Sequence, residues 1–436
     1  MGSTVALTAL AAGATPAVAA PTTTARGGSR ALPRDALEAG LRAITDAGMP
    51  GVFAEVRDGG ATWRGASGVA DLTTGRPMLP HFQHRVGSIT KTFVATALLQ
   101  LVGERRLALD APLGRYLPEF APAGVTVRML LNHTSGINDY DHVIFGTVEG
   151  IERYQHTTVT PVELVRIGLS QPPTNAPGER HVYSNTNYVL AGLLLERITG
   201  RSAEREIDRR ILRPLRLRQT YFPGTDRRID GPHARGYVPW LDGVPRDFSV
   251  FNMSWAWTAG ALVSTTSDLN RFFRALHGGG LLRPAALAEM RRTVVLDPAY
   301  PDAAGYGLGL MGVALPGGRV WGHDGVVLGH QAISLHSPDG RRQATVAMNA
   351  THYWVPGQPD PIGAALNSFL LLALDTPTDA LGAPADPARR GAADGRQLDG
   401  DALSVRRGPL SVVPGQPALA AVLSDGATGT RPPAGG

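Results

Sequence analysis

The sequence predicts an α/β chain of the α+β sandwich kind: an antiparallel sheet flanked by helices, built from the N- and C-terminal segments, with an all-helical region inserted between them. Three observations predict it. Residues 52–57 and 62–66 read as short strands around the turn Asp58-Gly59-Gly60. Strand-like segments return only in the last third, at 305–313, 319–321, 329–337 and 343–349, the last two joined by the turn Pro338-Asp339-Gly340. Between these ends, 88–290 reads mostly as helices separated by Pro- and Gly-rich loops. Strands at both ends with helices between them predict one sheet assembled from both termini.

Taken in order, residues 4–20 are apolar and small, and Ala17-Val18-Ala19 has the form of an export cleavage site, although no basic residue precedes it. The expectation is a signal remnant and linker over 1–33, and a secreted, extracellular protein. Asp35 is expected to cap a helix to about Ala47, with Leu37, Leu41 and Ile44 on its buried face. One catalytic-type domain is expected over 34–375, with 34–87 and 291–375 as its α/β part and 88–290 as its mainly helical part. Within the latter, helices are expected from Thr126, from Thr160-Pro161 with proline in the first turn, over 188–198 ending at Gly200, and from Ser267-Asp268 to His277. An apolar helix is expected over 362–374. Residues 376–436 are rich in Pro, Ala, Gly and Asp without periodicity, the composition of a disordered tail.

Composition narrows the function. The 436 residues are 43% hydrophobic, enough for a substantial core, and carry a net charge of +5. The arginines are scattered, so no nucleic-acid surface is expected. Cysteine is absent, which excludes disulfides, thiol catalysis and Cys-ligated zinc. The histidines show no metal-ligand spacing, so neither a metal nor a cofactor is expected. No apolar run is long enough to span a bilayer. Oligomeric state is not legible.

The stretch 86–103 organises the rest. From Ile89 onward it is apolar on nearly every side, as a core helix is, yet it contains Lys91. Lys91 is the single lysine among 42 basic residues. Arginine keeps its proton in proteins, whereas a buried lysine can lose it. Ser88 lies one helical turn before Lys91, so hydroxyl and amine share a face. A helix-capping serine with a lysine reaching for solvent is the structural alternative, opposed by the cost of burying an unpaired charge. A desolvated amine beside a serine hydroxyl is a nucleophile with its base.

Two further marks follow in order: Tyr183-Ser184-Asn185 and His323-Asp324-Gly325. With Ser88-Ile89-Thr90-Lys91 they parallel the three-motif set of penicillin-binding proteins and β-lactamases. On these residues, and on Leu130-Leu131-Asn132-His133-Thr134-Ser135-Gly136, Trp255, Ala259-Gly260 and the string Tyr306-Gly307-Leu308-Gly309-Leu310, the chain resembles the secreted serine D-Ala-D-Ala carboxypeptidases and the class C β-lactamase superfamily. The resemblance covers about 34–375. It implies Ser88 as the acyl-accepting nucleophile, Lys91 as its activator, and Tyr183 as a proton shuttle if its pKa drops near cations. It further implies Asn185 as a ligand of Lys91 and of the substrate amide, and His323 as a residue orienting Tyr183 or substrate. The backbone N–H groups of Ser88 and Val326 would form the oxyanion hole. Trp255 is implied at the cleft edge, and Asp324 and Gly325 on the substrate-binding strand. His133 reads as a structural residue with a buried hydrogen bond.

The resemblance implies a serine hydrolase acting through an acyl-enzyme on Ser88. It points first to a D-Ala-D-Ala peptidase-like enzyme (carboxypeptidase or transpeptidase) of peptidoglycan peptides, with a β-lactamase-like esterase or D-amino-acid amidase as the alternative. The substrate is then a small molecule or peptide: a D-amino-acid peptide, an ester, an amide or a β-lactam. Two departures bear on the choice. Asp324 stands where such carboxypeptidases usually carry Thr or Ser, and Met311 where the nearest of them carry an arginine for the substrate carboxylate. Neutral esters and amides, or substrates with a cation after the scissile bond, are therefore expected over free acids. Arg319 would compensate only if it turned into the cleft. A non-catalytic scaffold that binds peptidoglycan or a partner is the competing reading, and it gives no reason for a buried lysine.

Overall fold

A computed structural model describes residues 32–240, 243–352 and 359–374. The segments 4–20 and 376–436, expected as export signal and tail, lie outside them.

Both ends of the described chain meet in one sheet. Strands β1 (Gly51–Asp58) and β2 (Ala61–Gly68) form the first hairpin. Six more strands follow late in the chain: β3 (Val294–Val295), β4 (Ala304–Tyr306), β5 (Met311–Leu315), β6 (Gly318–Val327), β7 (His330–His336) and β8 (Arg342–Met348). The spatial order is β2-β1-β8-β7-β6-β5-β4-β3, antiparallel throughout. The register Val52↔Met348 to Asp58↔Arg342 joins the two ends of the chain.

Strand alternation sorts the residues of β1. Val52, Ala54 and Val56 face helices α1 (Arg34–Asp46) and α5 (Pro361–Leu374), packing with Leu37, Leu41, Ile44, Leu366, Phe369 and Leu370. Full burial of each large side chain is worth about 1.5–3 kcal/mol. Pro33, not Asp35, occupies the cap position of α1; Asp35 sits in the first turn, where its charge suits the helix dipole. On the opposite side of β1, Glu55 meets α4 (Thr266–His277), where Ser267 and Asn270 donate to it alongside Arg57 and Arg64. Burial pushes the Glu55 carboxyl up, but these donors outweigh it and hold the pKa below the usual range.

The helical region packs against that second face around α2 (Thr90–Gly103), which is buried on nearly all sides. Beside it runs α3 (Asn185–Thr199), closed by Gly200 at φ +68. Its first turn starts at Asn185, three residues before the apolar run that signals it. Likewise Thr265, rather than Ser267, caps α4 by accepting from the Asp268 N–H.

Two strand expectations change in the part of the sheet near α2. The segment 305–313 is two strands broken at Gly307–Leu310, where Gly309 has φ +68. A Cβ on Gly309 would lie 2.6 Å from the Tyr188 hydroxyl and 3.0 Å from the Lys91 carbonyl, so this break lets the hairpin reach α2. The segment 319–321 is the start of a ten-residue strand, and His323-Asp324-Gly325 lies inside it rather than before a strand. No helix among the described residues is long and apolar enough to cross a membrane.

Candidate active site

Ser88 sits in one tight turn, Gly87–Ile89, that leads into α2. The turn is wedged against β6. Gly87 has φ +54, and a Cβ there would lie 2.6 Å from the Val326 nitrogen. A Cβ on Gly325 would lie 2.1 Å from the Val86 carbonyl oxygen and 2.6 Å from the Ser88 nitrogen. Only glycine at both positions permits this contact, and the backbone nitrogens of Ser88 and Val326 border it.

Lys91 lies in the first turn of α2 with no exposed surface. Its Nζ is 2.9 Å from Ser88 Oγ, 2.7 Å from Asn185 Oδ1 and 2.7 Å from the Ala259 carbonyl. The amide orientation of Asn185 is fixed from its other end: Nδ2 donates to Asp139 (3.1 Å) and Asp141 (2.8 Å). Two neighbours of Lys91 are therefore pure acceptors, and the third, a hydroxyl, donates or accepts. An ammonium donates to all three; a neutral amine donates to two and accepts the Ser88 proton on its lone pair. The site holds both forms without rearrangement. Burial lowers the Lys91 pKa to about 7, while the acid pair Asp139–Asp141 and Asp324 resist the fall.

Tyr183 stands against the same group, its ring face 4.7 Å from Lys91 Nζ. Its hydroxyl is buried and no partner meets hydrogen-bond geometry, although the neighbouring Ser88 hydroxyl favours its ionised form. The sequence reading needs a lowered phenol pKa. The structure gives the opposite: burial pushes it well above 10, and the charges of Asp324 and Asp139 further oppose a phenolate.

His323 does not hydrogen-bond to Tyr183 or to Ser88. Its Nε2 meets the Tyr306 hydroxyl at 2.8 Å and its Nδ1 the Asp324 carbonyl at 2.5 Å. The Tyr306 hydroxyl also meets His133 Nε2 at 3.3 Å. Partners settle the tautomers. His133 Nδ1 accepts from the Ser184 N–H, so its Nε2 carries the hydrogen and donates to Tyr306. Tyr306 then donates to His323 Nε2, and His323 Nδ1–H donates to the carbonyl. Burial keeps both imidazoles neutral, His323 down at about 3. His133 stacks on the Tyr183 ring at 4.1 Å between centroids, so the chain of donors backs Tyr183 by packing.

Asp324 is buried beside this group, with its Oδ1 unpartnered and its carboxyl pushed up to about 6 by burial. Met311 packs with Tyr183 and Tyr306. Arg319 turns away, donating to the carbonyls of Gly312 and Asp302. Trp255, expected at a cleft edge, is buried in the helical core edge-on to Phe145, because an indole there fills apolar space. Thus Ser88, Lys91, Tyr183 and Asn185 come together, the Gly325–Val326 backbone borders them, and His323 and Trp255 stand one layer back. Sequence reasoning misses Asp139, Asp141 and the linking role of Tyr306. The signal for the first two is an Asn-Asp-Tyr-Asp run directly after a motif segment, in a chain only 18% charged. Among the described residues no group of three His, Asp or Glu is placed to hold a metal.

Comparisons with known proteins place the chain by family and fold. The Beta-lactamase family profile matches residues 34–366. A D-aminopeptidase from Cereibacter sphaeroides is 28% identical over 340 residues, 73% of this chain and 60% of the relative. Esterase EstB from Burkholderia gladioli is 35% identical over 221 residues, 47% of this chain and 53% of the relative. The chain thus spans well under two thirds of the length of these curated relatives. Among solved structures, a D-stereospecific amidohydrolase from Streptomyces sp. superposes with a TM-score of 0.68 at 38% identity, covering 73% of this chain and 94% of that one. The chain belongs to the Beta-lactamase family, the serine penicillin-recognising group that includes penicillin-binding proteins.

Proposed function

We propose that this family member is a serine hydrolase that forms an acyl-enzyme on Ser88 and cleaves amides or esters of D-amino-acid-type substrates. One observation carries the reading: the sole lysine of the chain is buried 2.9 Å from Ser88 Oγ, with acceptors for its two other hydrogens. In its neutral form Lys91 takes the Ser88 proton as Oγ attacks the carbonyl carbon. The N–H groups of Ser88 and Val326 receive the developing oxyanion. Tyr183, kept protonated by burial, relays a proton: its hydroxyl gives its hydrogen to the leaving nitrogen or oxygen and takes the one that Lys91 received from Ser88, so no phenolate is left. Asn185 holds the amine, and water releases the acyl group from Ser88 by the reverse proton path. His323 acts through Tyr306 and His133 on the placement of Tyr183, and Trp255 has only a packing role in the helical core.

Substrate choice follows from the charges around the site. A free carboxylate needs a fixed cation or several donors. Met311 is apolar, Arg319 is engaged elsewhere, and Asp324 is an acid beside the amine. These features support amides and esters over a D-Ala-D-Ala carboxypeptidase substrate. The relatives named D-aminopeptidase and D-stereospecific amidohydrolase support the amide, and the relative named esterase supports the ester. Export to the cell exterior belongs to the same proposal and rests on the segment 4–20 alone.

The test has two arms. Intact-mass measurement after incubation with a penicillin is expected to show one acyl adduct on the native chain and none on Ser88→Ala; an adduct on Ser88→Ala would overturn the nucleophile. The value of kcat/KM for a D-amino-acid amide is expected to exceed that for the matching dipeptide with a free C-terminus by about tenfold or more. Preference for the free acid would overturn the substrate class.

A further inference from the structure

Behind Asn185, away from Ser88, lie two carboxylates that the reaction as described does not use. Asp139 and Asp141 are 1% and 2% exposed. Both accept from the single Asn185 Nδ2, whose amide oxygen accepts from Lys91. No arginine or lysine lies within ion-pair distance of either, among the described residues. Two buried carboxylates on one amide nitrogen repel each other, and the cheapest arrangement leaves one of the two protonated.

The hydrogen bonds identify its place. Asp139 uses both oxygens as acceptors: Oδ1 from the Asp141 N–H at 3.1 Å, Oδ2 from Asn185. Asp141 uses only Oδ2; its Oδ1 is buried without a partner, where an O–H fits and a bare anionic oxygen is costly. Asp139 is thus the ionised member and Asp141 the protonated one. Burial and the Asp139 charge together push the Asp141 carboxyl well up.

We infer that Asp139 and Asp141 act as one shared negative charge that, through the Asn185 amide, positions Lys91 and sets the pH at which it becomes a base. The inference rests on the reading of Lys91 as base and adds the positioning residues that govern it. The other groups that act on Lys91 are Asp324 from β6, the rings of Tyr183 and Tyr188, the Ser88 hydroxyl, and the neutral imidazoles of His133 and His323. His142 and Tyr140 flank the acid pair itself. Asp324 sits across the site, so its contribution stays when the pair is altered.

The sign is fixed by charge. Removing the pair's negative charge destabilises the Lys91 ammonium, lowers its pKa and moves the acid limb of kcat/KM to lower pH. Asp141→Asn replaces a neutral acid by a neutral amide, so the limb stays within a few tenths of a pH unit. Asp139→Asn lets Asp141 ionise in its place, so the charge persists. Asp139→Asn/Asp141→Asn removes it, and the limb is expected to fall by about one pH unit.

The experiment measures pH profiles of kcat/KM for the native chain, Asp141→Asn and the double variant on one ester substrate. An unmoved limb in the double variant, or a shift in Asp141→Asn as large as that in the double variant, overturns the shared charge. A native profile without an acid limb near neutrality overturns the base reading instead, so the two failures are distinguishable. Should the double variant not fold, infrared difference spectra of the native chain against Asp141→Asn at pH 7 decide. A protonated carboxyl band present only in the native chain is expected. Its presence in both overturns the assignment of the proton to Asp141.

Discussion

Two buried cations stand on either side of the Ser88 turn. Arg85 precedes it and Lys91 follows it; both are 0–1% exposed, and neither has a carboxylate within ion-pair distance among the described residues. Arg85 lies in a cage of backbone carbonyls, donating to those of Arg227 (2.7 Å), Phe251 (3.1 Å), Ser249 (3.2 Å) and Phe248 (3.4 Å). Lys91 has one carbonyl, one amide and one hydroxyl. Burial lowers both pKa values, Arg85 to about 10 and Lys91 to about 7. The guanidinium starts high enough to remain charged, so Arg85 ties the backbone at Arg227, Phe248, Ser249 and Phe251 to the residues just before the turn. The ammonium starts two units lower and reaches neutrality. The same desolvation makes one cation a structural tie and the other an exchangeable proton site, and the residue type decides which.

Exchanging the residue types is the strongest way to break this comparison. Lys91→Arg keeps the charge and removes the exchangeable proton, and kcat/KM on an ester is expected to fall about 10³-fold, within the range of a lost general base. Near-native turnover would make Lys91 a mere tie like Arg85. The reciprocal change, Arg85→Lys, places a lysine where burial is equally severe and supplies three donors for four carbonyls. A stability loss of about 2 kcal/mol is expected in urea unfolding at pH 7, with the pH profile of activity kept. If activity moved and stability did not, Arg85 would belong to the reacting group.

A smaller effect sharpens the boundary of the site. Tyr306→Phe leaves His133 Nε2–H and His323 Nε2 without their common partner. Steady-state kinetics are expected to show a loss of about tenfold in kcat, from a displaced Tyr183, with the acid limb unmoved because no charge changes. A shifted limb would show that the imidazoles titrate with the reaction.

Much of this was legible in the chain. Period-two segments at both ends mark the sheet, and the apolar run after Ile89 with its one lysine marks α2 and the Ser88–Lys91 pair, since helix geometry alone brings i and i+3 together. What was not legible depends on long-range approach. The break at Gly307–Leu310 follows from the hairpin's contact with Tyr188 and the Lys91 carbonyl. The turn of His323 to Tyr306 rather than to Tyr183 follows from β6 running through the motif as a strand. Asp139 and Asp141 look like loop acids until folding buries them on Asn185. The raised pKa of Tyr183 depends on how deeply folding buries its hydroxyl and on the acids brought near it, Asp324 and Asp139, which are properties of packing alone.

Because Lys91 is the only lysine, its ionisation is directly observable in the intact chain. Protein labelled with 13C at lysine Cε has one side-chain resonance to follow through a pH titration by NMR. The account predicts a midpoint near 7, as burial lowers it, and kcat/KM rising with pH through the same midpoint as the neutral amine forms. A lysine resonance that stays in its protonated position beyond pH 10 would contradict it, and Lys91 would then be a charged tie rather than the base of Ser88.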